Sequence, residues 1–186
     1  TEADNLALKG IARASAKRQG NIITIPIEHK AVLDAAQSLK KEGAEIRFAK
    51  IDSTGIVDLD DLSQKIDDKT LLISIQAANS EIGVLQPIEQ IGRLARQFNV
   101  CFHSDAVQAL GRVDVNVLRD HIDLLSISGH KMYGPKGIGG LYVRKGLRLV
   151  PLIDGGGHER GMRSGTLNVP GIVGLGQAAE IAKRDL

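Results

Sequence analysis

The chain has 186 residues, 42% apolar and 25% charged, with a formal net charge of +2, the balance of one globular domain able to bury a full core. Basic and acidic residues interleave and only five residues are aromatic, so no basic, aromatic-rich surface marks a nucleic-acid binder; no apolar run approaches the roughly 18–20 residues of a bilayer span, and no signal-peptide pattern opens the chain. The single cysteine excludes an internal disulfide and any multi-cysteine metal site.

The elements alternate from the first residue. TEADNLALKGIARASAKR (1–18) predicts a helix, with Thr1 and Asp4 at capping-box spacing and Leu8, Ile11, Ala12 and Ser15 on one face. NIITI (21–25) predicts a β-branched strand. HKAVLDAAQSLKKEG (29–43) predicts a helix with Val32, Ala35, Ala36 and Leu39 turned inward and Gly43 as its stop. AEIRFAKI (44–51) alternates as a strand, DLDDLSQKI (58–66) is a short helix, and TLLISIQAA (70–78) is a buried strand. QPIEQIGRLARQFN (86–99) places Ile88, Ile91, Ala95 and Phe98 on one helical face, with Pro87 near its start.

VCFHSDA (100–106) and IDLLSIS (122–128) predict two further strands, and GIGGLYVRKG (137–146) another, whose direction the pattern leaves open. The closing helix carries Ile172, Leu175, Ala179 and Ala182 on one face. Near-continuous apolar strands between helices predict an α/β fold: three α/β/α layers around a mostly parallel sheet. The chain begins at Thr1 without a methionine and ends inside a helical pattern, as expected of a segment of a longer chain.

In open α/β sheets ligands bind at the carboxyl ends of the strands, and the chemically able residues stand there. His29 follows the first strand; Asn79, Ser80 and Glu81 follow LLISIQAA; Asp105 and Gln108 follow VCFHS; Ser128, His130 and Lys131 follow LLSIS. Any one of these could merely cap a loop, but four strand ends converge. A lysine amine and a carboxylate at one sheet edge suit pyridoxal phosphate (PLP). Its aldehyde needs an amine, its ring nitrogen an acid, and its phosphate a helix N-terminus with hydroxyls. Lys131 and Asp105 can serve as the first two, and Thr1, Ser128 and His130 as the third. Cys101, in an apolar strand, reads as a buried, inert thiol. A metal site is the rival from these residues, since His103 and Asp105 share a strand face and His130 and His158 are available; it leaves Lys131 and the glycine-rich loop Gly134–Gly140 unexplained.

The ordered set EHKAVLD, NSEIGVLQPI, HSDAVQALG, SGHKMYGPKGIGGLYVR and GGGHERGMRSGT resembles the cysteine desulfurases, fold-type I PLP enzymes of the class V aminotransferase group, over the whole chain. The resemblance implies that Lys131 forms the Schiff base, Asp105 meets the pyridine nitrogen and Gln108 the ring hydroxyl. It implies that His29 stacks on the ring and shares in proton transfer, and that Thr1, Ser128 and His130 hold the phosphate. Thr166 would reach the phosphate of the second subunit of a homodimer, making GGGHERGMRSGT an active-site and dimer loop. Most relatives have two asparagines before EIG, the second touching the ring hydroxyl; here the pair is Asn79-Ser80, so that contact is expected to change.

The implied reaction takes sulfur from L-cysteine, giving L-alanine and an enzyme persulfide that feeds iron–sulfur scaffold or sulfur-acceptor proteins. By the same resemblance residues 1–186 are an incomplete PLP-binding large domain, inactive alone in sulfur transfer. The attacking cysteine, on a mobile loop, and the C-terminal small domain lie outside it, as does an N-terminal segment. A cytoplasmic setting in a bacterium, or an organellar one in a eukaryote, is implied as well. Selenocysteine lyases and other class V members share the lysine and aspartate and are the nearest alternative; a non-catalytic dimerisation or scaffold-docking domain is the alternative of another class.

Overall fold

The computed structural model describes residues 1–15 and 20–186. Helix α1 (Glu2–Ala14) leads to β1 (Asn21–Thr24), α2 (Lys30–Lys41), β2 (Glu45–Phe48), α3 (Leu59–Lys65) and β3 (Thr70–Ser74). Then follow α4 (Ile88–Gln97), β4 (Cys101–Asp105), β5 (Leu124–Ser128), a single 3-10 turn (Gly129–Met132), β6 (Gly139–Val143) and α5 (Val169–Asp185). The six strands form one sheet in the order β2-β1-β3-β4-β5-β6. All neighbours run parallel except β6, which pairs antiparallel with β5 in the register Ile127↔Gly140. The expected mostly parallel α/β sheet is therefore present, and the direction of its last strand is settled.

Side-chain alternation along the strands feeds two separate cores. Ile23, Ile73, Phe102 and Leu125 point to one side, where they pack with Leu62 of α3 and with Ile91 and Ala95 of α4. Ile22, Leu72 and Leu124 point to the other, under Leu8 and Ile11 of α1 and Val32, Ala36 and Leu39 of α2. Helices thus cover both faces, which is why the central strands are apolar on both sides.

Four local expectations are corrected. Thr1 occupies the N-cap of α1 but makes no side-chain cap hydrogen bond, while Asp4 is buried with one carboxyl oxygen 3.5 Å from the Thr1 nitrogen. Helix α1 ends at Ala14 with Ser15 as its C-cap, and the predicted continuation through residues 16–18 lies outside the described residues. Phe98 is not on the buried face of α4: it is the C-cap, 46% exposed, and the chain turns away through Asn99 at φ 53° so that Val100 goes inside instead. In α5 the buried residues are Gly171 and Ala178, not the aliphatic row, and Ile172 is exposed. The small residues win because the helix lies against the loop after the 3-10 turn; a Cβ on Gly174 would come within 2.5 Å of Pro135.

β3 is shorter than predicted, yet its backbone keeps bonding to β4 beyond Ser74, Ile75 N–H to His103 O (3.1 Å) and Ala77 N–H to Asp105 O (2.9 Å). On the opposite side β1 has already ended. The chain therefore opens between β1 and β3, where the strand order reverses and where a ligand crevice is expected in such sheets.

Candidate active site

Side chains stitch the mouth of that crevice. Glu28 Oε1 accepts from Gln76 N–H (2.6 Å), while the amides of Gln76 and Asn79 both donate to Ile27 O (2.8 Å each). Asn79 Oδ1 also accepts from the N–H groups of Glu81 (2.8 Å) and Ile82 (3.0 Å). Asn79 is thus buried and engaged with backbone, shaping the loop that presents Ser80, whereas Ser80 is exposed with its hydroxyl toward Glu81 (3.5 Å).

His29 stands at the start of α2 as its N-cap, Nδ1 accepting from Ala31 N–H at 3.1 Å. That bond fixes the ring orientation and, in the neutral imidazole, puts the proton on Nε2. The other ring nitrogen is left facing outward from an exposed residue.

Asp105 ends β4. Val107 N–H donates to its Oδ1 (2.9 Å), an Asx turn that starts the following loop and leaves Gln108 half-buried one turn on. Burial, and after it the nearby Asp4 carboxylate, push the Asp105 carboxyl up to about 7. One strand over, β5 runs into Ser128, the N-cap of the 3-10 turn that carries His130 and Lys131. Ser128 Oγ and His130 Nδ1 lie 2.9 Å apart, and Lys131 is half-buried. Lys131 and Asp105 are therefore delivered by adjacent strands to one edge of the sheet.

The glycines around Lys131 serve close packing. Gly129 N–H donates to Ile138 O (3.0 Å) and Gly134 N–H to Gly129 O (2.9 Å), folding the loop back on the strand. A Cβ on Gly139 would lie 2.6 Å from Ile127 O, so only glycine lets β6 approach β5 here.

GGGHERGMRSGT forms a loop tied at several points. Ser164, buried, accepts from Gly157 N–H (3.2 Å), His158 Nδ1 accepts from Gly165 N–H (3.3 Å), and Arg163 Nε donates to Glu2 Oε1 (2.8 Å). The Arg163 bond anchors the loop to the first turn of α1, beside Thr1. Thr166 is exposed beyond it. Of the two loop arginines, Arg163 is thus already paired.

Two residues stand apart from their expected settings. His103 is fully buried with Nδ1 2.8 Å from Ser74 Oγ and Nε2 2.9 Å from Ser126 Oγ, so both nitrogens are taken by hydroxyls; burial holds its pKa down at about 4. Cys101 begins β4, four residues before Asp105 and so at the opposite edge of the sheet, about 13 Å away along the strand. Burial pushes its thiol well above the ordinary range.

What composition and motif did not reveal is a set of buried acids. Asp4 and Glu28 are 1% and 6% exposed, and Asp4 Oδ1, Glu28 Oε2 and Thr24 Oγ1 lack hydrogen-bond partners. The signal available in the sequence was the polar alternation Ser74/Gln76, His103/Asp105 and Ser126/Ser128 in otherwise apolar strands.

Comparisons with known proteins agree with this geometry. The aminotransferase class-V family matches residues 1–185. The cysteine desulfurase IscS of Rickettsia prowazekii (strain Madrid E) is 54% identical over 188 residues, covering all of this chain and 46% of the relative. That of Rickettsia felis is 55% identical over 184 residues, covering 98% and 45% respectively. Among solved structures, a NifS-like protein superposes with a TM-score of 0.95 at 46% identity, covering 99% of this chain and 51% of the other. SspA in complex with cysteine gives 0.93 at 45% identity, covering 96% and 52%. The chain spans about half the length of the curated relatives it matches.

Proposed function

Because the chain belongs to the aminotransferase class-V family, we propose that it supplies the PLP-binding large domain of a cysteine desulfurase that takes sulfur from L-cysteine. The observation that carries this reading is the joint delivery of Lys131 and Asp105 to one sheet edge by β5 and β4, beside a helix N-terminus free of side-chain caps.

The donor set fits the cofactor. Lys131 offers an amine on a braced turn and Asp105 a buried carboxyl. Ser128, His130 and the uncapped first turn of α1 at Thr1 offer donors for a phosphate. Gln108 and Ser80 would border the ring hydroxyl, with Asn79 acting through the loop it braces, and Thr166 would serve a neighbouring subunit. When bound, the cofactor supplies an aldehyde for amine exchange and a protonated ring that withdraws electrons from Cα.

The protein's own part is to bind, orient and move protons. Asp105 would hold a proton on the ring nitrogen, and His29, its ring orientation set by the Ala31 bond, would lie beside the ring. Lys131, half-buried on the turn after β5, would carry a proton to and from the substrate Cα. Sulfur then passes from the substrate Cβ to a thiol and a proton takes its place on carbon, leaving L-alanine. Cys101 does not serve as that thiol, since it is half-buried, hard to ionise and at the far edge of the sheet. The sulfur acceptors, in this reading, are scaffold proteins of iron–sulfur cluster assembly or other sulfur carriers, and the working unit is a homodimer.

The test is a visible spectrum of the full chain with PLP, before and after borohydride, for the parent and Lys131→Ala. A visible band that borohydride abolishes in the parent and that is missing in the variant supports the reading; equal spectra sink it. Alanine released from L-cysteine by the parent then identifies the substrate.

A further inference from the structure

The crevice opens because β1 leaves β3, and that departure strands a donor. Along β3 and its continuation alternate backbone groups face opposite neighbours: Ile75 and Ala77 donate to β4, so Gln76 N–H faces the β1 side. The register Ile23↔Ile73 makes Ile25 O the next carbonyl in line for it. Ile25 O instead accepts from Glu28 N–H within its own turn (3.4 Å). Gln76 is buried, and a buried N–H without an acceptor is costly.

The side chain of Glu28 takes the place of the missing strand. Its Oε1 accepts from Gln76 N–H at 2.6 Å, and Ile27 O accepts from the side-chain amides of Gln76 and Asn79 at 2.8 Å each. Two consecutive residues of the loop between β1 and α2 are thereby bolted across the crevice to the end of β3. Burial raises the Glu28 carboxyl well above its ordinary value and so favours the uncharged acid. One oxygen of an uncharged carboxyl, or of an amide, suffices for this bond.

His29 is the next residue. Its bond to Ala31 N–H (3.1 Å) orients the ring but stays within the first turn of α2. Helix α2 is held by Val32, Ala35, Ala36 and Leu39; its N-cap lies outside that packing, between it and the Glu28 anchor. We propose that Glu28 is a positioning residue that acts through His29: its carboxyl stands in for the missing β1 carbonyl at Gln76 and so holds the histidine at its place in the crevice. The proposal rests on the reading that His29 lies beside the ring of PLP. It gives this buried acid a task without placing it on the ligand.

The experiment compares Glu28→Ala, Glu28→Asp and Glu28→Gln in the full chain. Without cofactor, hydrogen exchange at Gln76 N–H and the ring signals of His29 are followed by NMR. Gln76 N–H should be protected in the parent; Glu28→Ala should speed its exchange by about fivefold or more and shift the His29 signals. Glu28→Asp, whose carboxyl is one methylene short, should do the same and replaces the alanine variant should that not fold. Glu28→Gln keeps the acceptor oxygen and should restore the parent's exchange rate. PLP affinity is then read by absorbance in a cycle with His29→Ala. Shortening Glu28 should weaken binding by no more than His29→Ala does, and should cost nothing further once His29 is gone. Equal losses in both backgrounds would mean that Glu28 holds the crevice and not the histidine, and would overturn the proposal. An unprotected Gln76 N–H in the parent, unmoved His29 signals in the shortened variants, or a glutamine that fails to rescue would overturn it as well. A parent that binds no PLP refutes the cofactor reading itself; the exchange rates and ring signals, taken without cofactor, keep that failure separate.

Discussion

Replacing Asp105 by asparagine should flatten the fall of the chain's stability with rising pH between about pH 4 and pH 6.5. The reasoning uses two buried groups shifted in opposite directions. Asp105 is raised from an ordinary 3.8 to about 7. Between those values the folded chain keeps a proton that the unfolded chain has lost, so stability falls as pH rises. His103 is lowered from 6.5 to about 4. Over that interval the unfolded chain holds the extra proton, so stability rises with pH. Each group contributes about 1.4 kcal/mol per pH unit, and from about pH 4 to pH 6.5 the two slopes nearly cancel. Glu28, raised by burial, adds to the falling side. The parent should therefore fall over this window. Asp105→Asn removes one falling contribution and leaves His103 opposed by Glu28, so the variant's curve should be flatter than the parent's. The difference between the two curves accumulates to at most about 3 kcal/mol, the contribution of one displaced group across about 2.5 pH units. In a domain of this size each kcal/mol moves Tm by roughly 2–4 °C. The assay is Tm by circular dichroism at half-unit pH steps, without cofactor. His103→Gln should do the reverse and expose a steep fall. Parallel Tm curves for parent and Asp105→Asn across this window would refute the raised carboxyl of Asp105.

Gly139→Ala should destabilise the chain by about 1–3 kcal/mol, because its Cβ would come within 2.6 Å of the Ile127 carbonyl oxygen; urea unfolding reads the loss, and an unchanged midpoint would mean that β6 shifts freely. Ser80→Asn should tighten PLP binding and shift the visible band, since a longer amide on this exposed loop position reaches further than the serine hydroxyl; matching affinity and spectrum in parent and variant would show the serine to be silent.

The strands were legible because a parallel sheet buried on both faces demands continuous apolar runs, and TLLIS, CFH and LLSI supply them. The edge that gathers Lys131, Asp105, His29 and Asn79 was legible for a topological reason: in such sheets chemistry collects where strands end. The direction of β6 was not, since GGLYV fits either pairing and is decided by its register against β5. The face of α5 was misread because aliphatic residues mark a buried stripe only when the neighbour leaves room for them. Here Gly134 and Pro135 press so close that glycine and alanine make the contact and Val173 and Ile181 are left outside. Asp4 was misread for a different reason. A capping box is a local pattern, whereas His103, which Asp4 Oδ1 faces at 3.7 Å, sits on β4, far along the chain, and no local rule connects them.

That last misreading bears on what the polar half of the α1 face is for. A sheet selected for stability alone would continue its aliphatic rows to the strand ends; here they give way to Thr24, Ser74, His103, Asp105 and Ser126, with Asp4 pressed on top. Serine hydroxyls satisfy His103 on both sides, so the histidine is a fixed, neutral support whose cost is limited to its own burial. Two acids keep one oxygen each without a partner, Asp4 Oδ1 and Glu28 Oε2, and burial raises the Glu28 carboxyl well above its ordinary value. The polar half thus satisfies its histidine on both nitrogens and its carboxyls only in part. With Asp105 raised to about 7 and Glu28 raised as well, ionising these acids lowers the stability of the chain as pH rises. Under the proposed function, a ligand carrying positive charge beside Asp105 would offset that loss.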